Sequence, residues 1–467
     1  MSKSNLNKSG LNALERRSVS ALASVYGLRM FGLFLILPVL AIYAEDLPDA
    51  TPMLMGLALG VYGVTQALFQ IPFGILSDRF GRKPMIILGL SIFIVGSLVA
   101  AFSSSISGVI IGRALQGAGA IAAVVLALTS DLTRENQRTK AMAVIGMSIG
   151  LAFLLALVSA PWLEFFIGVK GLFILTAVLA LVAMGLIIKV VPTPEQRRNL
   201  EVRAVPAQML GLLRNKHLIR LDLGIFILHF VLTAMFVVIP IVLLDQLGVE
   251  TRDQWRVYVP ALLASIVFMV PLIILSSRKN MLNPVFMAAI SILLFAQCLL
   301  MWRPLGVPGI TLCLFFFFWG FNLLEALLPS IVSRIAPAAS KGSAMGVYNT
   351  FQFSGVFLGG LSGGILYGQS LFGNGVVEQE RLGITAVFSV CALLLVAWVW
   401  LVYSAPKMRL LDSLVVSIDP TTDCQSNLEA IEGVEEVIII KEESTAYLKV
   451  DKARLNLAEL EKITNHA

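Results

Sequence analysis

Charged residues are unusually few in this sequence. Asp, Glu, Lys and Arg make up 14% of its 467 residues, whereas a soluble globular chain carries about 25%. Apolar residues make up 57%, far more than the interior of a soluble domain of this length needs. The composition therefore excludes an ordinary soluble protein and predicts an integral membrane protein.

The motifs of enzymes and of nucleotide-driven pumps are also missing. The sequence contains no Walker-type glycine loop, no nucleophile elbow and no HExxH pair, and its three histidines lie far apart at 217, 229 and 466. The cysteines show no CxxC spacing, so the sequence has neither a disulfide framework nor the paired cysteines of a metal chaperone; they are Cys298, Cys313, Cys391 and Cys424. We therefore predict no enzymatic activity, no catalytic residues, no metal site and no cofactor.

Long apolar runs dominate what is present. A span needs about 20 apolar residues, and a span in lipid must be a helix because its backbone groups have no water to bond. Twelve runs qualify, at about 20–43, 53–76, 85–102, 107–130, 141–163, 171–191, 221–244, 257–276, 284–301, 309–333, 343–368 and 383–403. We number them spans 1 to 12.

The distribution of basic residues tests this count independently. If both termini are cytoplasmic, the inside segments carry 23 Lys or Arg and the outside loops carry 5. This asymmetry follows the positive-inside rule, and one missed or extra span would erase it. The sequence therefore predicts an even number of spans and a multi-pass protein with cytoplasmic termini.

The loop between spans 2 and 3 reads GILSDRFGRK at 74–83. This pattern resembles the signature loop of the major facilitator superfamily of transporters. We expect the first glycine to allow close helix contact and the second to allow a tight turn. The matching residues are Gly74, Asp78, Arg79, Gly81, Arg82 and Lys83.

The resemblance implies a mechanical role for this loop. In the family, the equivalent of Asp78 caps the start of span 11, and the equivalent of Arg82 pairs with an acid at the end of span 4, here Asp131. Such contacts would hold the two halves together on the cytoplasmic side and favour an outward-open state. We call the six signature-loop residues together with Asp131 the latch.

The chain also repeats itself. Ser130–Arg134 (SDLTR) and Ser330–Arg334 (SIVSR) lie at the same loop of each half, and Leu76–Arg79 has a degraded copy at Leu275–Arg278. The repeat predicts an all-α fold of two pseudo-symmetric six-helix bundles, the arrangement in which transporters bind substrate between the halves. The predicted units are 1–191, a linker at 192–220 with an amphipathic stretch, and 221–405.

Ionisable side chains inside a membrane span generally mark a pathway for substrate or ions. Those away from span ends fall in spans 1, 4, 7 and 10, which line the central cavity in the superfamily. They are Arg29, Arg113 (followed by Gln116 in a family-like RALQG run), Asp222, His229 and Glu325. We expect them to contact protons or substrate, and Glu325 to bind a proton near neutral pH.

Each of these residues also has a structural interpretation. Arg113 could be an interhelical ligand for backbone carbonyls, and Arg29 could anchor span 1. His229 could be a hydrogen-bonded core residue, Asp222 could extend to the nearby membrane surface, and Glu325 could pair with a neighbouring cation. The sequence leaves these alternatives open.

After residue 406 the composition changes. Residues 411–467 hold 12 acids and five bases, and their patterns predict the order βαββα, with strands at 414–418, 434–440 and 445–450 and helices near 425–432 and 456–464. We predict a small cytoplasmic α/β domain of ferredoxin-like type, which could bind a ligand or mediate self-association. With this tail, the chain resembles the YajR-type branch of efflux proteins.

That resemblance implies a proton-coupled antiporter in the inner membrane. Span 5 carries part of the antiporter motif, Gly146 and Gly150 followed by Ala160-Pro161. We predict multidrug-type efflux of small amphipathic or lipophilic compounds by alternating access, with the proton gradient as energy source, small molecules, protons and lipids as partners, and no nucleic acid. The alternatives are a metabolite or sugar transporter and a membrane sensor whose tail is the output module.

Overall fold

The computed structural model describes residues 10–193, 211–276, 278, 281–302, 306–336, 341–369, 376–404, 412–417, 425–440, 445–450, 454–456 and 459–460. The first half of the chain forms seven helices. They are α1 (Ala13–Leu35), α2 (Leu37–Glu45), α3 (Pro52–Phe80), α4 (Arg82–Phe102), α5 (Ile106–Ala118), α6 (Ala122–Asp131) and α7 (Glu135–Lys189).

The second half forms six long helices and a small sheet domain. The helices are α8 (Lys216–Ile241), α9 (Trp255–Ser276), α10 (Leu282–Met301), α11 (Gly306–Ile335), α12 (Lys341–Gln369) and α13 (Val376–Tyr403). A π-helical turn, Val242–Gln246, follows α8, and a 3-10 turn, Thr251–Asp253, precedes α9.

Ten helices of the described residues are long and apolar enough to cross a membrane. Two elements account for the difference from twelve predicted spans. Predicted spans 5 and 6 lie in α7, which continues through a non-helical residue, Gly168 (φ 63°, ψ 172°). Span 11 corresponds to α12, whose many glycines lower its hydropathy. The count of twelve therefore stays a prediction.

Local chemistry fixes the helix ends around the signature loop. Thr51 caps α3 by accepting a hydrogen bond from the Leu54 N–H, and Pro52 suits the first helical position because its missing N–H would have no partner there. Gly81 separates α3 from α4 with φ 95°, a conformation that disfavours side chains. The expected tight turn at Gly81 is therefore confirmed.

Glycines bring α12 against helices from both halves. Gly355 and Gly359 face the backbone of Phe226 and Phe230 on α8. On its other side α12 meets α3, where Gly360 lies against Gly56 and Gly60. Backbones can approach this closely only where the side chain is a hydrogen atom.

The two halves of the chain meet at one end of the molecule. We call it the outer end, because the positive-inside rule predicts that the loops carrying Pro52 and Thr251 face outward. Besides the α3–α12 contact, α2 packs on α8 and α7 packs on α9 there. Close to that last contact, the Arg252 guanidinium lies over the Phe165 ring with 5.5 Å to the ring centroid. The structure is therefore closed at its outer end.

The tail contains a three-stranded antiparallel sheet with strand order β1-β3-β2, where β1 is Asp412–Ser417, β2 is Val434–Ile440 and β3 is Thr445–Val450. A short helix, α14 (Gln425–Glu429), precedes β2. Its core side chains are Leu428, Ile431, Val437, Ala446, Leu448, Val450 and Leu460. Most of the second predicted helix, residues 194–210 of the predicted 192–220 linker, and Cys424 lie outside the described residues. The ferredoxin-like assignment stays a prediction.

Candidate functional site

Arg82 is the centre of the latch. Its Nη1 lies 2.5 Å from Asp78 Oδ1, one turn back on α3, and its Nε lies 3.1 Å from Asp131 Oδ2 at the end of α6. Ser77 Oγ accepts a third bond from Nη1 at 2.5 Å. The Arg82–Asp131 contact inferred from the family pattern is thus present, and one guanidinium ties together α3, α4 and α6.

The other signature residues show mixed geometry. Lys83 Nζ donates to the Val191 carbonyl at 2.8 Å, beyond the end of α7, and the Arg79 guanidinium lies over the neighbouring Phe80 ring. A methyl group added at Gly74 would be 4.0 Å from the nearest side chain, so the expected close contact there is wrong for this conformation. The expected Asp78 contact with the start of span 11 depends on residues 337–340, outside the described ranges.

A second ion pair at the inner end was not foreseen. Glu15 near the start of α1 binds Arg134 before α7 with two bonds, Oε1 to Nε at 2.8 Å and Oε2 to Nη2 at 2.9 Å. Glu15 also completes a capping box with Asn12 at the start of α1. The pair therefore joins the beginning of the first helix to the loop between α6 and α7.

Arg29 and Arg113 lie in one buried polar network of the first half, with only 1% and 2% of their surface exposed. Arg29 Nη2 donates to Gln66 Oε1 at 2.9 Å and to the Gly119 carbonyl at 3.0 Å. Both guanidiniums also lie over the Tyr62 ring. Aromatic faces stabilise a cation that has left water.

Arg113 bonds neutral groups only, as far as the described residues show. Its Nη1 donates to Gln116 Oε1 at 2.9 Å, and its Nε donates to the Ala58 carbonyl at 3.3 Å on α3. Gln116 Nε2 in turn donates to Ser97 Oγ. This geometry is that of the interhelical ligand that the sequence left open.

In the second half, His229 and Glu325 come together across α8 and α11. His229 Nε2 lies 3.9 Å from Glu325 Oε2 and 2.8 Å from Gln352 Nε2 on α12, and His229 Nδ1 lies 3.2 Å from the Ile225 carbonyl. A carbonyl only accepts, so Nδ1 carries the hydrogen, and Nε2 accepts from the amide of Gln352. With the Gln352 amide in this orientation, the contacts correspond to a neutral imidazole at His229.

The Glu325 side chain is partly exposed, and one of its oxygens forms no hydrogen bond with the described residues. Its side chain is 36% exposed, yet its Oε2 atom is buried and has no hydrogen-bond partner within the described part of the chain. Asp222, two turns before His229 on α8, is 2% exposed and its Oδ1 is likewise unpaired. Asp222 is thus enclosed by protein rather than extended to the membrane surface.

Neighbouring residues of α12 connect the two networks. Gln352 contacts His229 of the second half, while the Phe353 ring packs edge-on against Tyr62 of the first, with 6.1 Å between centroids. Gln352, Gln66 and Gln70 were not among the site residues predicted from the sequence. Gln66 and Gln70 stand four residues apart inside an apolar span, a spacing that puts both on one helix face.

The chain belongs to the Major Facilitator Superfamily, whose family profile matches residues 22–360. A profile for the YajR YAM domain matches residues 418–466. The chain is 40% identical over 464 residues to the inner membrane transport protein YajR of Escherichia coli, covering 97% of this chain and 98% of that protein. It is therefore a membrane transporter and not an enzyme.

More distant proteins share parts or all of this architecture. Multidrug resistance protein 2 of Bacillus subtilis is 26% identical over 82% of this chain and 97% of its own length. Among solved structures, a bacterial homologue of the lysosomal transporter Spinster, inward-facing and occupied, superposes with a TM-score of 0.69 at 13% identity, covering 84% of this chain and 97% of that one. At that identity the likeness shows the fold alone.

Proposed function

We propose that this transporter is a proton-coupled antiporter that exports small amphipathic or lipophilic compounds by alternating access. The observation that carries the proposal is the contact of Glu325 with His229 and the contact of His229 with Gln352, which join α8, α11 and α12. The multidrug relative supports the substrate class, and the inner-membrane relative supports a location in the inner membrane. The distribution of basic residues supports cytoplasmic termini.

Glu325 is the proposed proton carrier. An acid with a buried, unpaired oxygen and a partly exposed side chain can take up a proton or bind a polar group of a substrate, depending on which arrives. His229 and Gln352 would sense that change, because the imidazole accepts from the amide only while it is neutral. Competition of proton and substrate for one site would give exchange in opposite directions.

The latch would bias the conformational step. Arg82 holds Asp78 and Asp131 within the first half, and we propose that Asp78 engages the second half when the inner end closes. A charge that crosses 100 mV gains about 2.3 kcal/mol, and a hydrogen bond to a charged group contributes about 1.5–3 kcal/mol. One proton is therefore enough to tip such a balance.

Flux in proteoliposomes tests the proposal. With an imposed pH gradient, vesicles that contain the protein should move ethidium, a lipophilic cation, against its own gradient, whereas xylose should not respond. Glu325→Gln should abolish the proton-driven component. Glu164→Gln is the matched control, because Glu164 is another partly buried acid but lies near the Gly168 kink of α7, at the outer end of the molecule and away from the cluster.

Two results would contradict the proposal. Proton-driven xylose flux without ethidium flux would favour the sugar transporter. Equal proton-driven flux of ethidium in the protein with Glu325 and in Glu325→Gln would show that this acid does not carry the coupling.

Asp78→Asn tests the proposed role of the latch. Loss of ethidium flux with retained ethidium binding would support that role, and unchanged flux would contradict it.

A further inference from the structure

We propose that the Tyr348 hydroxyl relays protons between Glu325 and Asp222, which makes Asp222 the station from which a proton leaves toward the inner end. The inference rests on the proposed function, because it supplies the route that a proton bound at Glu325 would need. Asp222 then has a transport role of its own rather than a structural one.

Four buried oxygens of the second half have no hydrogen-bond partner among the described residues: Gln297 Oε1 on α10, and Asp222 Oδ1, Glu325 Oε2 and Tyr348 Oη. Buried polar groups in folded proteins are nearly always paired. Unpaired oxygens on three helices, α8, α11 and α12, therefore call for a common explanation. A water molecule needs two to four polar partners, and these atoms are the kind that would hold one.

Tyr348 lies on α12, which packs along α8, at a level between those of His229 and Asp222. Only 2% of its surface is exposed. On α12 it precedes Gln352 by one turn, and Gln352 contacts His229; on α8 Asp222 precedes His229 by two turns, about 10 Å. Both residues thus lie on the inner side of the Glu325–His229 contact.

The surroundings offer few other proton carriers. After Arg220, the ionisable groups of α8 are Asp222 and His229, and before Arg334 those of α11 are Cys313 and Glu325. Within the described side chains, α3 contributes none between Tyr62 and Asp78, and α13 contributes only the thiol of Cys391 between residues 382 and 402. Among these side chains and Tyr348, the Tyr348 hydroxyl is therefore the protein group at a level between the Glu325–His229 contact and Asp222.

The transfer balances without any further reactant. Protonated Glu325 gives its proton to the oxygen of Tyr348, directly or through a water, while the hydroxyl proton of Tyr348 passes to the Asp222 carboxylate. Tyr348 is neutral before and after, Glu325 becomes ionised and Asp222 becomes protonated. Asp222 then releases the proton to water at the inner end, and rotation of the Tyr348 hydroxyl restores its initial orientation.

Proton uptake by the full-length protein in detergent tests the relay without a transported compound. A pH jump in a stopped-flow instrument with the dye pyranine gives the number of protons bound and the rate. Glu325→Gln should lose one proton from the amplitude. Tyr348→Phe should keep the amplitude but slow the uptake about tenfold or more, and Asp222→Asn should slow it equally while losing a proton of its own.

Tyr258→Phe is the control, because Tyr258 is another fully buried tyrosine of the second half and its hydroxyl bonds only to Gln254 within the described residues. Uptake by Tyr348→Phe at the rate of this control, or with reduced amplitude, would overturn the relay while leaving Glu325 as carrier. Full amplitude in Glu325→Gln would instead refute the coupling site itself, and the relay with it. If Tyr348→Phe does not fold, the rate of proton uptake by Asp222→Asn tests the relay, and uptake at the rate of the control would overturn it.

Discussion

A single methyl group at Gly56 should prevent the outer end from closing. A Cβ added there would lie 2.8 Å from the Cα and 2.9 Å from the N of Gly364 on α12. These are backbone atoms of a packed helix, so no side chain can rotate away to make room. Gly56→Ala can fit only if α3 and α12 move apart, which is the motion that opens the outer end.

The size of the effect follows from the cost of overpacking, about 1–3 kcal/mol for an inserted methyl or methylene group. The open-outside state does not contain this contact and does not bear that cost. The ratio of open to closed molecules should therefore rise about 5- to 150-fold. Gly360→Ala should act in the same direction, because its Cβ would lie 2.9 Å from the N of Gly60.

Distances between spin labels measure this ratio. Asp46→Cys and Gln246→Cys place labels on exposed positions of the two halves at the outer end, after Cys298 and Cys424 have been replaced. Gly346→Ala is the control on α12 itself, because nothing lies within 4 Å of the added methyl group. A Gly56→Ala distance distribution identical to that of Gly346→Ala would refute the reasoning that this contact limits closure.

Four further substitutions test three of the contacts described above. Asp131→Asn and Arg82→Gln should be non-additive in a double-mutant cycle of thermal unfolding, by about 0.5–3 kcal/mol; additive effects would contradict their coupling. Glu15→Gln should lower the stability by about 1.5–3 kcal/mol, because a nearly buried carboxylate then no longer neutralises Arg134, and an unchanged melting temperature would refute that. Gln352→Leu should slow proton-driven flux about tenfold without loss of folded protein, and full flux would contradict a role for the amide.

The sequence predicted contacts whose residues belong to a recognisable pattern. The pairing of Arg82 with Asp131 could be inferred because both occupy family positions. The pairing of Glu15 with Arg134 could not, because it joins a polar terminal segment to a loop 119 residues away. Charges in such segments resemble the general basic and acidic content of membrane-protein loops, and only the packed helices show which ones meet.

Uncharged polar residues were the larger omission. Gln66, Gln70 and Gln352 stand in apolar runs without a charge to mark them, yet they supply the hydrogen bonds around Arg29 and His229. An amide inside lipid needs a partner as a charged group does. Amides that recur on one helix face within a span are therefore as informative as ionisable residues.

The position of α12 explains why protonation and closure would be coupled. Gln352 contacts His229 of the second half, and the next residue, Phe353, packs on Tyr62 of the first. The glycines of α12 allow both of its neighbours, α3 and α8, to pack at backbone distance. A movement of α12 away from α3 must therefore also displace Gln352 relative to His229, unless α8 moves with it. The same helix thus contacts the proposed proton site and forms, with α3, the contact that closes the outer end.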